Sequence, residues 1–191
     1  GDYVQLQSAQ WSGGPLAIGT GPYDSTLSLF KISGPAQIAA SEVVAARFKG
    51  ASGPIPTNSN IVVNYDQKDY DTHNAVTMGS DWKFRAPMAG YYRVSARIMV
   101  KDYSGAWSVG DAYGLSLYKN GSTLIGELDR VLVENASVST YKVCGGTTDV
   151  YLNAGDYIQV KVYASRTSGQ AAIEGNPWHD HIQIHRIGGV M

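Results

Sequence analysis

Residues Trp82 to Val100, WKFRAPMAGYYRVSARIMV, constrain the fold more than any other stretch of the chain. They read as a strand, a Pro-Met-Ala-Gly turn and a second strand, together a hairpin. In the second strand Tyr92, Val94, Ala96 and Ile98 share one face, while Arg93, Ser95 and Arg97 point the other way. Pro87 fixes φ and Gly90 permits φ > 0, so the turn is specified by its own residues. A period of two this clear requires a sheet with one dry face.

The same pattern recurs downstream. In YIQVKVY, Ile158, Val160 and Val162 oppose Tyr157, Gln159, Lys161 and Tyr163. In YGLSLYKNGSTLIGEL, Tyr113, Leu115 and Leu117 alternate, and Asn120-Gly121 signals a tight hairpin turn. Further strands are expected at 43–48, at 60–65, within 131–143 and in HIQIHRI. The loops are expected at GASGPIPTNSN, broken by Pro54 and Pro56, at the acidic run DQKDYDTHNAV, at DYSGAWSVGDA and over 165–177. With 22 Gly, 13 Tyr and only 16% charged residues, the chain has the balance of an all-β domain with many turns. The expected architecture is eight to ten strands in a sandwich. Alternation alone also fits an immunoglobulin-like sandwich.

Residues 1–41 differ from the rest. Four Gly and two Pro interrupt WSGGPLAIGTGPYDS, so this part is expected to be an extended arm, either an anchor or a subunit clasp, ahead of a domain over 42–191. A net charge of −1 implies no bulk attraction to nucleic acid or anionic membrane. No run approaches the about 18 apolar residues of a membrane helix. No secretory signal opens the chain, so the expectation is synthesis in a cytoplasm. Cys144 is the only cysteine, which excludes an intramolecular disulfide. In its VCGG setting it reads as a half-buried thiol beside a turn.

Phe84, followed after five residues by Gly90-Tyr91-Tyr92, resembles the central signature of the C1q/TNF-like jelly rolls. Upstream, Tyr65, Asp71 and Val76 approximate that family's aromatic, Asn/Asp and bulky apolar positions. The chain departs from the pattern at Tyr65, where Phe is usual, and at Val76, where an aromatic or Leu is usual. One residue is inserted before Phe84, and Val94 and Ala96 replace bulkier residues. The sequence is thus similar to a divergent member. It is most like the C1q-like domains of bacteriophage virion proteins in YDTHNAV…WKFRAPMAGYYRVSA, LYKNG and DVYLNAGDYIQVKVY. The resemblance spans residues 42–189. It implies a homotrimeric jelly roll that binds or builds and does not catalyse. The implied settings are a capsid decoration knob or a head- or tail-fibre tip on the virion surface, with capsid or fibre proteins as partners. The alternative is a secreted C1q-like lectin or receptor ligand that recognises glycans or proteins outside the cell.

Candidate sites are few. Tyr103 and Trp107 in one loop and Trp178 in another suit contact with sugar or protein, or else fill a core or subunit interface. His179 and His181 form an H-x-H pair with His185 in the same parity. On a three-fold axis two such residues per chain would offer six nitrogens to a metal, and the opposing reading is a solvated strand face. Asp66, Asp69 and Asp71 could collect Ca²⁺, or form a solvated loop in which Asp71 bonds local backbone N–H groups. No nucleophile elbow, phosphate loop or H-E-x-x-H motif is present, and no enzyme is expected.

Overall fold

The structure, a computed structural model, describes residues 43–135 and 141–188. They form thirteen strands and no helix: β1 Ala45–Lys49, β2 Ser52–Ile55, β3 Ser59–Val62, β4 Gln67–Asp71, β5 Val76–Thr77, β6 Lys83–Arg85, β7 Gly90–Ser104, β8 Ala112–Lys119, β9 Thr123–Leu132, β10 Tyr141–Leu152, β11 Tyr157–Ser165, β12 Gln170–Glu174 and β13 His181–Gly188. The anticipated arm over residues 1–41 lies outside the described residues.

Two antiparallel sheets face each other. The seven-stranded sheet runs β2-β12-β7-β13-β1-β4, with β10 on the other side of β7. The six-stranded sheet runs β5-β6-β11-β8-β9, with β3 also on β11. The long strand β7 is the spine. Along one edge it pairs with β10, and along the other with β13 and then β12.

The anticipated alternation holds in β7. Tyr92, Val94, Ala96 and Ile98 are buried, and Arg93, Ser95 and Arg97 lie on the outer face. Ile158, Val160 and Val162 of β11, with Leu115 and Leu117 of β8, supply the opposing inner face. Burying such side chains stabilises the fold by roughly 1.5–3 kcal/mol each before entropy is counted. The Asn120-Gly121 hairpin also forms, with φ of 50° and 80° at its two central residues.

The Pro87–Gly90 turn does not make a hairpin. β6 pairs with β5 and β11, whereas β7 belongs to the other sheet, so the chain crosses between layers here. The turn at 153–156 is a second crossover, from β10 to β11. The two bond to each other, Ala86 N–H donating to Asp156 O and Gly155 N–H to Ala86 O, both at 2.8 Å. Turn residues specify a bend; the partner of each flanking strand decides which layer it enters.

Three expected loops contain strands. β2 carries Pro54 and survives because it is an edge strand, paired only with β12, where a missing N–H can face away from the ladder. β4 is a polar edge strand on β1, held by ion pairs from Asp69 to Arg47 and Lys49. β12 buries Ala171, Ala172 and Ile173 within a run that otherwise reads as polar.

Cys144 is fully buried inside β10 and not beside a turn. The glycines after it serve close approach. A Cβ at Gly145 would sit 2.6 Å from Ala96 O, and one at Gly146 would sit 2.3 Å from Leu128 O of β9. Gly145 N–H donates to Asp129 Oδ2 at 3.1 Å, so β9 closes the free edge of β10. Burial pushes the Cys144 thiol far above its usual range, which keeps it an inert core group.

Candidate binding surface

The signature residues are spent on holding the sandwich together. Tyr65 and Trp82 are buried edge to face at 5.6 Å between ring centroids, and Phe84 meets Tyr92 in the same manner at 5.6 Å. Tyr92 Oη donates to Met88 O at 2.6 Å, and the Arg186 guanidinium donates to Ala89 O, so the crossover is clamped from both sides. Gly90 has φ 152°, and a Cβ there would lie 2.3 Å from Gly188 O, so no side chain fits. Asp71 fills the local role anticipated for it. Its Oδ1 accepts from His73 and Ala75 N–H, and its Oδ2 accepts from Val76 N–H.

The three acidic side chains of the proposed calcium loop are not gathered. Asp71 turns to that backbone, Asp69 turns to Arg47 and Lys49, and Asp66 Oδ1 lies over Gly50. Asp69 sits at the register shift between β1 and β4, which separates it from its neighbours. Among the described residues no three His, Cys, Asp or Glu side chains form a group that could hold a metal.

Of the three candidate contact aromatics, Trp107 is only 1% exposed and is withdrawn from any ligand. Its ring packs on Tyr113 at 5.4 Å, with the Arg166 guanidinium 4.4 Å from its centre. The cause lies far along the chain. Arg166 has a fully buried side chain that donates to the carbonyls of Ser104, Gly105, Ala106 and Gln170. Beside it, Asp111 accepts from Ser108 N–H and from Thr167 N–H and Oγ1. Burial opposes ionisation of Asp111, but these bonds and the Arg166 charge outweigh it and hold the carboxyl below its usual range.

Tyr103, near the end of β7, is 65% exposed, and Trp178, in the turn before β13, is 85% exposed. The Trp178 turn is well anchored. Asn176 Oδ1 accepts from Trp178 N–H, and Asn176 O accepts from His179 and Asp180 N–H. The Asp180 carboxylate is buried and accepts from Met99 N–H at 2.6 Å and Gly175 N–H at 3.0 Å. Burial raises Asp180 to about 6, against those bonds. The turn is thereby fastened to the middle of β7.

His181 and His185 lie on the outer face of β13, opposite the buried Ile182 and Ile184. His179 stays in the turn, close enough for its charge to act on His181. His181 is held below its usual range by burial, then by the Arg47, Arg97 and His179 charges. His185 is held down by burial. The charges that act on His181 are therefore those of cations. The feature that sequence reasoning missed is this basic surround. Arg47, Lys49 and Arg97 come from two strands, and only the register of β1, β13 and β7 brings them together.

No protein-family model and no curated protein matches this sequence significantly. No helix among the described residues is long and apolar enough to cross a membrane. Solved structures do match. Eiger TNF from S. frugiperda superposes with a TM-score of 0.54 at 16% identity, covering 78% of this chain and 95% of that one. Murine APRIL superposes with a TM-score of 0.51 at 15% identity, covering 75% and 98%. Two antiparallel sheets, a crossover at each signature turn and these likenesses establish that the chain carries an all-β jelly roll of the TNF-like kind.

Proposed function

We propose that this protein is a non-enzymatic homotrimer displayed on a bacteriophage virion, as a capsid decoration knob or a head- or tail-fibre tip. The observation that carries the reading is the TNF-like jelly roll in a chain whose runs YDTHNAV, LYKNG and DVYLNAGDYIQVKVY are similar to phage C1q-like domains. The chemistry of the side chains supports binding over catalysis. The lone thiol is inert, the buried Asp111 and Arg166 are engaged in bracing a loop, and Tyr103 and Trp178 are exposed. In this reading the region 1–41 anchors the knob to the particle or clasps neighbouring subunits, and Tyr103 and Trp178 carry contact with a partner. The partners are capsid or fibre proteins and a cell-surface glycan or protein.

The test is mass in solution by light scattering, on the full chain and on residues 42–191. A trimer in both leaves the first region free to anchor, and binding to empty phage heads is then expected. A trimer that needs residues 1–41 makes them a clasp. A monomer in both overturns the assembly, and binding to glycans or receptors without binding to heads favours a secreted ligand.

A further inference from the structure

One level of the seven-stranded sheet carries an unusual row on its outer face. Pairing sets Lys49 beside His181, His181 beside Arg97, and Arg97 beside Gly145. Neighbouring strands lie about 4.8 Å apart, so the three side chains form one short band. Arg47 lies two residues along β1 and acts on His181 as well. Arg47 and Lys49 share one carboxylate, Asp69. Arg97 has no ion pair among the described residues, although it is half-buried. Three cations thus stand against one anion, in a protein whose net charge is −1. On the far side of Arg97 stands Gly145, whose missing Cβ would lie 2.8 Å from Arg97 Cα and whose N–H donates to Asp129 Oδ2 from β9. The turn fastened to Met99 by Asp180, two residues on from Arg97, carries the exposed Trp178 three residues ahead of His181.

A half-buried guanidinium without an ion pair calls for an oxyanion, and an exposed indole on an anchored turn calls for a flat apolar face such as that of a pyranose ring. We propose that this surface binds an acidic saccharide, with its carboxylate or sulfate group on Arg97 and a sugar ring against Trp178. The proposal names the ligand class for the contact surface described under the proposed function and rests on that reading. His181 lies between Lys49 and Arg97 in the row, where burial and the surrounding cations disfavour its charged form. Lys49 from β1 and Arg97 from β7 are its partners in register, the Arg47 charge and that of His179 in the turn act on it, and Asp69 of β4 is paired with Arg47 and Lys49. A bound anion offsets those cations and favours imidazolium.

Binding to the full chain is measured by calorimetry with four probes: an oligogalacturonate, a heparin-type sulfated oligosaccharide, a neutral maltooligosaccharide of equal length, and sodium sulfate. At least one acidic oligosaccharide is expected to bind, the tighter of the two naming the oxyanion, while the neutral sugar does not. Arg97→Gln should weaken binding at least tenfold and Trp178→Ala at least fivefold. Arg130→Gln, the same charge change on β9, should leave it unaltered, and both Arg variants should melt within a few degrees of the parent. On binding, the His181 ring resonances should titrate at higher pH. Equal binding by Arg97→Gln overturns the site. Sulfate alone binding as tightly as the oligosaccharides overturns the saccharide and leaves an ion site. If the parent attaches to heads or cells yet ignores all four probes, this inference falls and the functional reading stands. Arg97-dependent binding by a monomeric chain keeps the inference and removes the trimer.

Discussion

Arg166→Met is the sharpest test of how the loop around Trp107 is held. Methionine preserves much of the volume but removes every donor and the charge. Four carbonyls lose their partner, the Trp107 ring loses the cation over it, and Asp111 is left buried beside no positive charge. Hydrogen bonds from a charged donor contribute roughly 1.5–3 kcal/mol each. Four at full value would exceed what one substitution removes, because a loosened loop lets water reach some of the carbonyls. Breaking one half of a buried ionic arrangement costs about 3–5 kcal/mol, and that is the expected loss. It is read from urea unfolding followed both by tryptophan fluorescence and by far-UV circular dichroism, which must coincide for a two-state value. Arg166→Lys keeps the charge but not the planar fork that reaches several carbonyls at once, so it should lose at least half as much. A loss below about 1 kcal/mol for Arg166→Met would refute the account, since a buried unpaired carboxylate alone exceeds that.

Gly90→Ala should cost about 2–5 kcal/mol in the same assay, from a positive φ and a Cβ driven into Gly188 O at 2.3 Å. Asp71→Ala should cost about 1–3 kcal/mol by freeing three backbone N–H groups, with Asp71→Asn losing less because one oxygen remains. Trp107→Ala should cost about 3–5 kcal/mol while Trp178→Ala changes stability by less than about 0.5 kcal/mol, the contrast following from burial alone. Asp180, raised by burial to about 6 from 3.8, binds its proton more tightly in the fold than in the unfolded chain, so its contribution grows as pH falls through 6 toward 4 and is lost above 6. His181 and His185, lowered in the fold from 6.5, contribute stability above pH 6.5 that is lost as pH falls below it. Unfolding measured at pH 8, 6.5 and 5 should therefore show Asp180→Asn losing more stability on acidification than the parent; an identical pH profile for the two would refute the assignment.

The parts of the fold legible in the sequence are those in which one strand carries its own signal. Tyr92 to Ile98, Ile158 to Val162 and Tyr113 to Leu117 each alternate, so their inner faces could be written down without knowing their partners. Asp71 acts on residues that follow it closely, and so its role was legible too. What failed depended on partners distant in sequence. Pro87 to Gly90 specifies a bend, but only the pairing of β6 with β11 shows that the bend changes sheets. Gly145 and Gly146 look like turn residues until Ala96 and Leu128 are seen pressing on them. Trp107 sits in a run of polar residues that signals exposure, and the residue that buries it, Arg166, is itself a type expected at the surface. The basic row escaped for the same reason, because Lys49, His181 and Arg97 share no sequence neighbourhood.

Both ends of the sandwich achieve order by different means, and the difference bears on where binding can occur. At the Gly90 end the two crossovers satisfy each other's backbone groups, and Tyr92 and Arg186 secure them further. Toward the other end of β7, order comes from buried charge. Arg166 and Asp111 brace one loop, and Asp180 braces the turn that carries Trp178. A carboxylate kept at 0% exposure with a raised proton affinity is an expensive brace. Its return is positional: it fixes the backbone beneath a tryptophan that otherwise makes no use of being fixed. A backbone held in this way loses little freedom on contact, so more of the indole's interaction energy reaches the binding equilibrium. Substituting Asp180 should therefore weaken saccharide binding through Trp178 even where the fold tolerates the change, whereas substituting Asp71, which braces the acidic turn, should not.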